Sequence, residues 1–131
     1  MRTCRPNATK PAREASLDLL RGPAPPTAIL AMSDVLALGA LQAASELGVT
    51  VPENLSIVGF DDSPAAAFAT PMLTTIAQPH EEKGRLAAQR LLEEIANGRP
   101  RRRRRKTILP TELVVRESTG PPPKARTRRG Q

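Results

Sequence analysis

The sequence predicts an α/β fold, a parallel sheet flanked by helices, on three observations. Two short apolar runs, residues 28–32 (AILAM) and 55–60 (LSIVGF), are each entered from a proline-bearing turn and stopped by Ser-Asp or Asp-Asp. The stretch between them has helical apolar spacing, so strand, helix and strand follow within about thirty residues, the size of one βαβ unit. Asp61 and Asp62 close the second run. A buried parallel strand that ends in carboxylates delivers polar groups to the C-terminal edge of its sheet, where ligands of open α/β sheets bind.

Taken in order, residues 1–11 show no periodicity and are expected to be unstructured. The spacing of Ala15, Leu19 and Leu20 predicts a short helix over 12–20, ended by Gly22 and the prolines at 23, 25 and 26. Residues 28–32 are expected to form a buried strand. Ser33 or Asp34 can cap the helix that follows, because either side chain accepts from the free amides of a first turn. That helix, over 35–47, carries Leu36, Leu38, Leu41, Ala44 and Leu47. Its apolar surface is wider than one core stripe and calls for a second partner. Gly48 is suited to end it in the left-handed conformation.

Beyond Asp62 the stretch SPAAAFATP reads as a loop or a short helix, and residues 73–76 as an extended segment. Pro79 then opens a helix in which Gly84, Ala88, Leu91 and Ile95 share a face, with Glu81 and Glu82 at its positive end and Gly98 stopping it. Residues 107–116 are β-prone but interrupted by Pro110, which suits an edge strand or a crossing between sheets. Residues 120–131 form a basic tail expected to be disordered.

A chain of 131 residues has room for one domain. Without Trp or Tyr, and with Phe60 and Phe68 as its only aromatics, its core must be built from Leu, Ile, Val and Ala. Such a core offers little stacking surface to a base or a sugar ring. The net charge of +7 is local: seven cations lie in 99–106 and four more are Lys124, Arg126, Arg128 and Arg129, so removing these eleven leaves the remainder at −4. Arg101, Arg102, Arg103, Arg104 and Arg105 have two readings, non-specific phosphate attraction or a solvated loop between helix and strand. Without a groove-reading helix they cannot specify a base sequence.

A lone Cys4 excludes an intramolecular disulfide and fits a reducing compartment. No apolar run reaches membrane-span length, and the first residues lack the apolar core of a signal peptide, so a cytoplasmic location is expected. Nothing supports catalysis or a cofactor. The one His and one Cys are far apart, and there is neither a nucleophile elbow nor a phosphate-cradling glycine loop. Asp61, Asp62, His80 and Glu81 have no short metal-ligand spacing, and no metal site is assigned.

Four blocks carry a more specific signal by their order: PTAILAMSDVLALGALQAASELG, VPENLSIVGFDD, TPMLTTIAQPHEEKGRLAAQRLLEEI and LPTELVVRES. Over residues 13–119 the chain resembles the effector-sensing half of the lactose-repressor/galactose-repressor family of bacterial transcription regulators. The resemblance implies a partial type I periplasmic-binding-protein-like fold. It places 12–119 in a truncated sensor, with 12–78 and 111–119 in the C-terminal lobe and 79–110 as a remnant of the other lobe that carries the Arg-rich loop 99–106. The helix-turn-helix headpiece through which such regulators bind DNA is not expected in a chain of this length. Alternatives are a sugar-binding module of a transporter, which shares the fold, and non-specific nucleic-acid binding through the Arg-rich loop.

The resemblance also implies a site. Asp61 matches the family aspartate that hydrogen-bonds the small effector, a metabolite such as a sugar; the competing reading is a carboxylate capping its own turn. Ser33 stands where relatives often carry an effector-contacting asparagine. Serine lacks the paired donor and acceptor of the amide, which favours a capping role. Asp34 matches a family aspartate and is equally explained as structural. Gln78 and His80 fall at positions near the cleft. Leu38, Gln42, Ala65, Phe68 and Ala69 match surfaces of a two-fold dimer, so a homodimer is expected.

Overall fold

The computed structural model describes residues 9–97 and 106–123. They fall into two compact units, residues 9–77 with 113–123, and residues 78–97 with 106–112. The expectations that Gly98 stops a helix, that 99–105 forms a loop and that the tail beyond 123 is disordered lie outside the described residues.

The first unit opens with α1 (Thr9–Leu20). It begins three residues earlier than its sequence spacing suggests, because Pro11 sits in the first turn, where its missing amide has no intrahelical partner to lose. β1 (Ala28–Leu30), α2 (Asp34–Glu46) and β2 (Ser56–Val58) then form the expected strand-helix-strand unit. β1 and β2 are parallel, with Ala28 opposite Ser56, Ile29 opposite Ile57 and Leu30 opposite Val58. α3 (Pro64–Ala67) is a single turn, and β3 (Thr75–Ala77) continues the sheet on the other side of β2. Parallel bridges join Val58 to Thr74 and Asp61 to Ala77, and the Gly59 amide donates to the Thr74 carbonyl at 2.9 Å. β3 also pairs with β4 (Glu112–Val114).

The core lies between the sheet and α2, where Ala37, Ala40, Leu41 and Ala44 meet Leu55, Ile57, Ala66 and Leu73. α2 needs two partners, as its wide apolar surface suggests, and the second is α1. Gly39 makes that contact possible: a Cβ there would stand 2.7 Å from the Ala12 Cβ and the Thr9 carbonyl oxygen and 2.9 Å from the Arg13 amide. Arg13 Nε closes the helix pair on Glu46 Oε1 at 2.7 Å. Gly48 takes φ +65, the left-handed end expected of it.

One expectation is overturned. Residues 28–32 are not a buried strand: Leu30 is 72% and Met32 80% exposed. β1 pairs only with β2 among the described residues, so its apolar pattern is that of an interior strand in an edge position.

Residues 116–118 complete this unit by wedging beside β2. Ser118 is fully buried; its amide donates to the Met72 carbonyl at 3.0 Å and its carbonyl accepts from the Ile57 amide at 2.8 Å. Its hydroxyl donates to the Ile57 carbonyl at 2.6 Å and accepts from the Thr74 amide at 2.8 Å. The buried Ser118 thereby satisfies its backbone groups on Met72 and Ile57, while its hydroxyl serves the Ile57 carbonyl and the Thr74 amide.

The second unit holds α4 (His80–Asn97). Its apolar face is present as the spacing predicts, yet Leu91, Leu92 and Ile95 are all more than half exposed.

Candidate functional site

The polar side chains of the first unit gather where β1 and β2 end. α2 starts there with Ser33 as N-cap; its hydroxyl accepts from the Leu36 amide at 3.4 Å, and the residue is buried. Ser33 is thus occupied as a cap, one of the two roles its sequence position allowed.

Asp34 is nearly inaccessible and ties three segments together. Its amide donates to the Phe60 carbonyl at 2.8 Å; one carboxylate oxygen accepts the Thr75 hydroxyl at 2.5 Å and the other the Ser63 amide at 2.6 Å. A buried carboxylate persists when charge-assisted hydrogen bonds of this kind replace its water. The chain leaving β2 runs past it at Gly59, where a Cβ would collide with the Asp34 carboxylate and stand 2.9 Å from Leu73 Cδ2. Glycine is therefore required at that point, and the structural reading of Asp34 is the one its contacts support.

The β2 strand then turns through Asp61 and Asp62, both with positive φ, 115° and 53°. Left-handed backbone is tolerated by aspartate better than by most residues, yet each such residue costs on the order of 1–3 kcal/mol. The Asp61 amide stays in the sheet, donating to the Ile76 carbonyl at 2.9 Å, while the residue is half-buried at the lip. Asp62 turns to the other side: its carboxylate pairs with Arg116 Nη2 at 2.6 Å, and its amide reaches Thr75 Oγ1 at 3.4 Å. Arg116 also donates from Nη1 to the Leu73 carbonyl and from its amide to Thr74 Oγ1, both at 2.9 Å.

Sequence reasoning missed Arg116 and Ser118. Both lie in the block LVVRES, and nothing in local spacing shows that residues this far along the chain return to β2.

Gln78 and His80 belong to the second unit. The Gln78 side-chain oxygen accepts from Lys83 Nζ at 3.0 Å, and its carbonyl accepts from the His80 amide at 2.8 Å. With Pro79, Glu81, Glu82 and Arg85 they line a shallow concavity around the first turn of α4. Arg85 hydrogen-bonds Glu82 at 2.7 Å and holds its carboxyl below the usual carboxylate range. Of the expected interface residues, Phe68 is 86% exposed, Gln42 and Ala65 are exposed, and Leu38 and Ala69 are half-buried against the core. α1 already covers the second face of α2. Arg101, Arg102, Arg103, Arg104 and Arg105 lie outside the described residues. Among the described residues, no three His, Cys, Asp or Glu side chains are grouped as metal ligands would be, and no helix is long and apolar enough to cross a membrane.

The profile of the periplasmic binding protein-like domain matches residues 2–119. The chain belongs to that family, in the form found in lactose-repressor-type transcription regulators. It is 48% identical over 102 residues to the HTH-type transcriptional regulator MalR of Streptomyces coelicolor, covering 78% of this chain and 29% of that protein. Among solved structures it is similar to a LacI family transcriptional regulator from Arthrobacter sp. FB24 in complex with lactose, at 35% identity and a TM-score of 0.75, covering 86% of this chain and 42% of that one. It is equally similar in fold to the lac repressor dimer bound to operator and the anti-inducer ONPF, at 32% identity and a TM-score of 0.75, covering 86% and 38% of the two chains. This chain thus spans less than a third of the curated regulator cited here, as part of a sensor domain.

Proposed function

We propose that this chain forms part of the sugar-sensing domain of a transcription regulator and that Asp61 anchors the effector. The observation that carries the reading is the placement of Asp61, a half-buried carboxylate on left-handed backbone at the lip where β2 ends. Relatives of this architecture hold a ligand in their solved structures, lactose in the Arthrobacter regulator. A carboxylate accepts from two neighbouring hydroxyls at once, which suits a polyol. Gln78 and His80, which the family resemblance places near the cleft, are the further effector contacts of this reading. Assembly as a homodimer would use the surface around Phe68, together with Leu38, Gln42, Ala65 and Ala69. DNA would be bound by the whole regulator, with effector binding shifting that affinity.

Lactose titration followed by amide chemical shifts tests this. Movement at Asp61, Asp62, Gln78, His80 and their neighbours is expected, and Asp61→Asn should weaken binding by about 1.5–3 kcal/mol, the range for a hydrogen bond to a charged group. Unchanged affinity in that variant would return Asp61 to the role of a turn residue.

A further inference from the structure

The Asp61-Asp62 turn poses a problem that the sensor fold alone does not answer: two consecutive non-glycine residues at positive φ need something to hold them. The Asp61 amide is fixed in the sheet by the Ile76 carbonyl. The Asp62 amide is held only loosely, its bond to the Thr75 hydroxyl being 3.4 Å long. The shortest described restraint on Asp62 is the 2.6 Å pair of its carboxylate with Arg116.

Arg116 is no swinging surface arginine. Its side chain is 17% exposed, its amide is bound to Thr74 Oγ1, and Nη1 donates to the Leu73 carbonyl while Nη2 reaches Asp62. The planar guanidinium thus spans two segments, the backbone leading into β3 and the turn leaving β2, in a fork that lysine cannot reproduce.

We propose that Arg116 is a positioning residue for the effector: through Asp62 it locks the Asp61-Asp62 turn in the left-handed conformation that presents the Asp61 carboxylate at the sheet edge. This rests on Asp61 being the anchor, so the experiment has two arms that fail separately.

The first arm needs no ligand. Amide exchange and one-bond Cα–Hα couplings are measured at Asp61 and Asp62 in the full chain. In Arg116→Met we expect the couplings to lose their left-handed signature and exchange at Asp61 to rise about ten-fold or more, with Leu55 and Ile57 as protected as before. Arg116→Lys, which keeps the charge but not the fork, should fall between. A folded Arg116→Met with both measures unchanged overturns the proposal. Should that variant not fold, Asp62→Ala, which leaves the bond from Arg116 to the Leu73 carbonyl in place, is read at Asp61 in the same way, and an unmoved Asp61 there overturns it equally.

The second arm titrates lactose into the same proteins. Weaker binding in both Asp61→Asn and Arg116→Met, with partial recovery in Arg116→Lys, supports anchor and positioning together. A released turn with lactose affinity unaffected by Asp61→Asn removes the anchor and leaves the hold on the turn standing. An intact turn in Arg116→Met removes the hold whatever lactose does.

Discussion

α2 and α4 treat their apolar faces in opposite ways. α2 buries small residues, Ala37, Gly39, Ala40, Ala43 and Ala44, and so lets α1 on one side and the sheet on the other approach closely. α4 carries larger ones, Leu91, Leu92 and Ile95, and leaves them in water. Leu91, Leu92 and Ile95 would each gain more from burial than an alanine does, yet they are the ones left exposed. What matters is whether a partner exists to meet the face, because burial and not apolarity lowers the free energy. Stability in this chain should therefore be concentrated in the first unit and nearly absent from the face of α4.

The largest effect should come from Gly39. A methyl group there meets the backbone of α1 at Thr9 and Arg13, which cannot swing aside, so Gly39→Ala must push the helices apart. We expect about 3 kcal/mol of destabilisation in urea unfolding, the upper range for overpacking, and Gly39→Leu should not fold. A Gly39→Ala chain as stable as the parent would show that α1 contributes nothing and would dissolve the contrast between the two helices.

Next come the buried polar groups that tie β2 to its neighbours. Asp34→Asn presents an amide to a site where both partners, the Ser63 amide and the Thr75 hydroxyl, donate to the carboxylate. Ser118→Ala removes a hydroxyl that donates to Ile57 and accepts from Thr74. Each should cost about 1–3 kcal/mol, because a buried group is left without its bond. Additive losses in the double variant would mean separate supports; a smaller sum would mean that both hold the same strand.

How much of this was legible follows the same division. The strand-helix-strand unit, the Ser33 cap and the Gly48 turn could be read from the sequence, because apolar period, capping chemistry and left-handed glycine act over a few residues. The exposure of Leu30 could not, since pattern tells which residues seek a neighbour and not whether one is there. The turn at Asp61 was visible as a pair of carboxylates, but its clamp was hidden: Arg116 lies 54 residues from Asp62 and reads locally as one more cation in a basic chain. Gly39 and Gly59 were likewise silent, since what each glycine must avoid comes from distant residues.

On the exposed face, replacement should do little. Leu91→Gln and Ile95→Gln are each expected to change stability by no more than about 0.5 kcal/mol, the ordinary range for a solvent-facing site. A loss well above that, growing with protein concentration, would show that a second copy covers α4 and would turn the comparison around.

The smallest effect concerns the ion pair at the start of α4. The hydrogen bond from Arg85 and its positive charge hold the Glu82 carboxyl below the ordinary glutamate value, while Arg85 itself is pushed upward and remains charged throughout. A carboxylate with a depressed folded-state pKa contributes its stabilisation above its ordinary value and loses it as pH falls through the depressed one. Because the pair is exposed and three residues apart on one helix, that contribution is local and screened by salt. Carbon-detected titration should place the Glu82 midpoint below that of an ordinary glutamate, and Arg85→Gln or high salt should raise it. Over the same acid range, amide protection at Ile57 should stay constant while the first turn of α4 loosens. Loss of protection at Ile57 in step with Glu82 protonation would show that the helix and the sheet unfold as one, and the two faces would then have to be explained by a single cooperative unit.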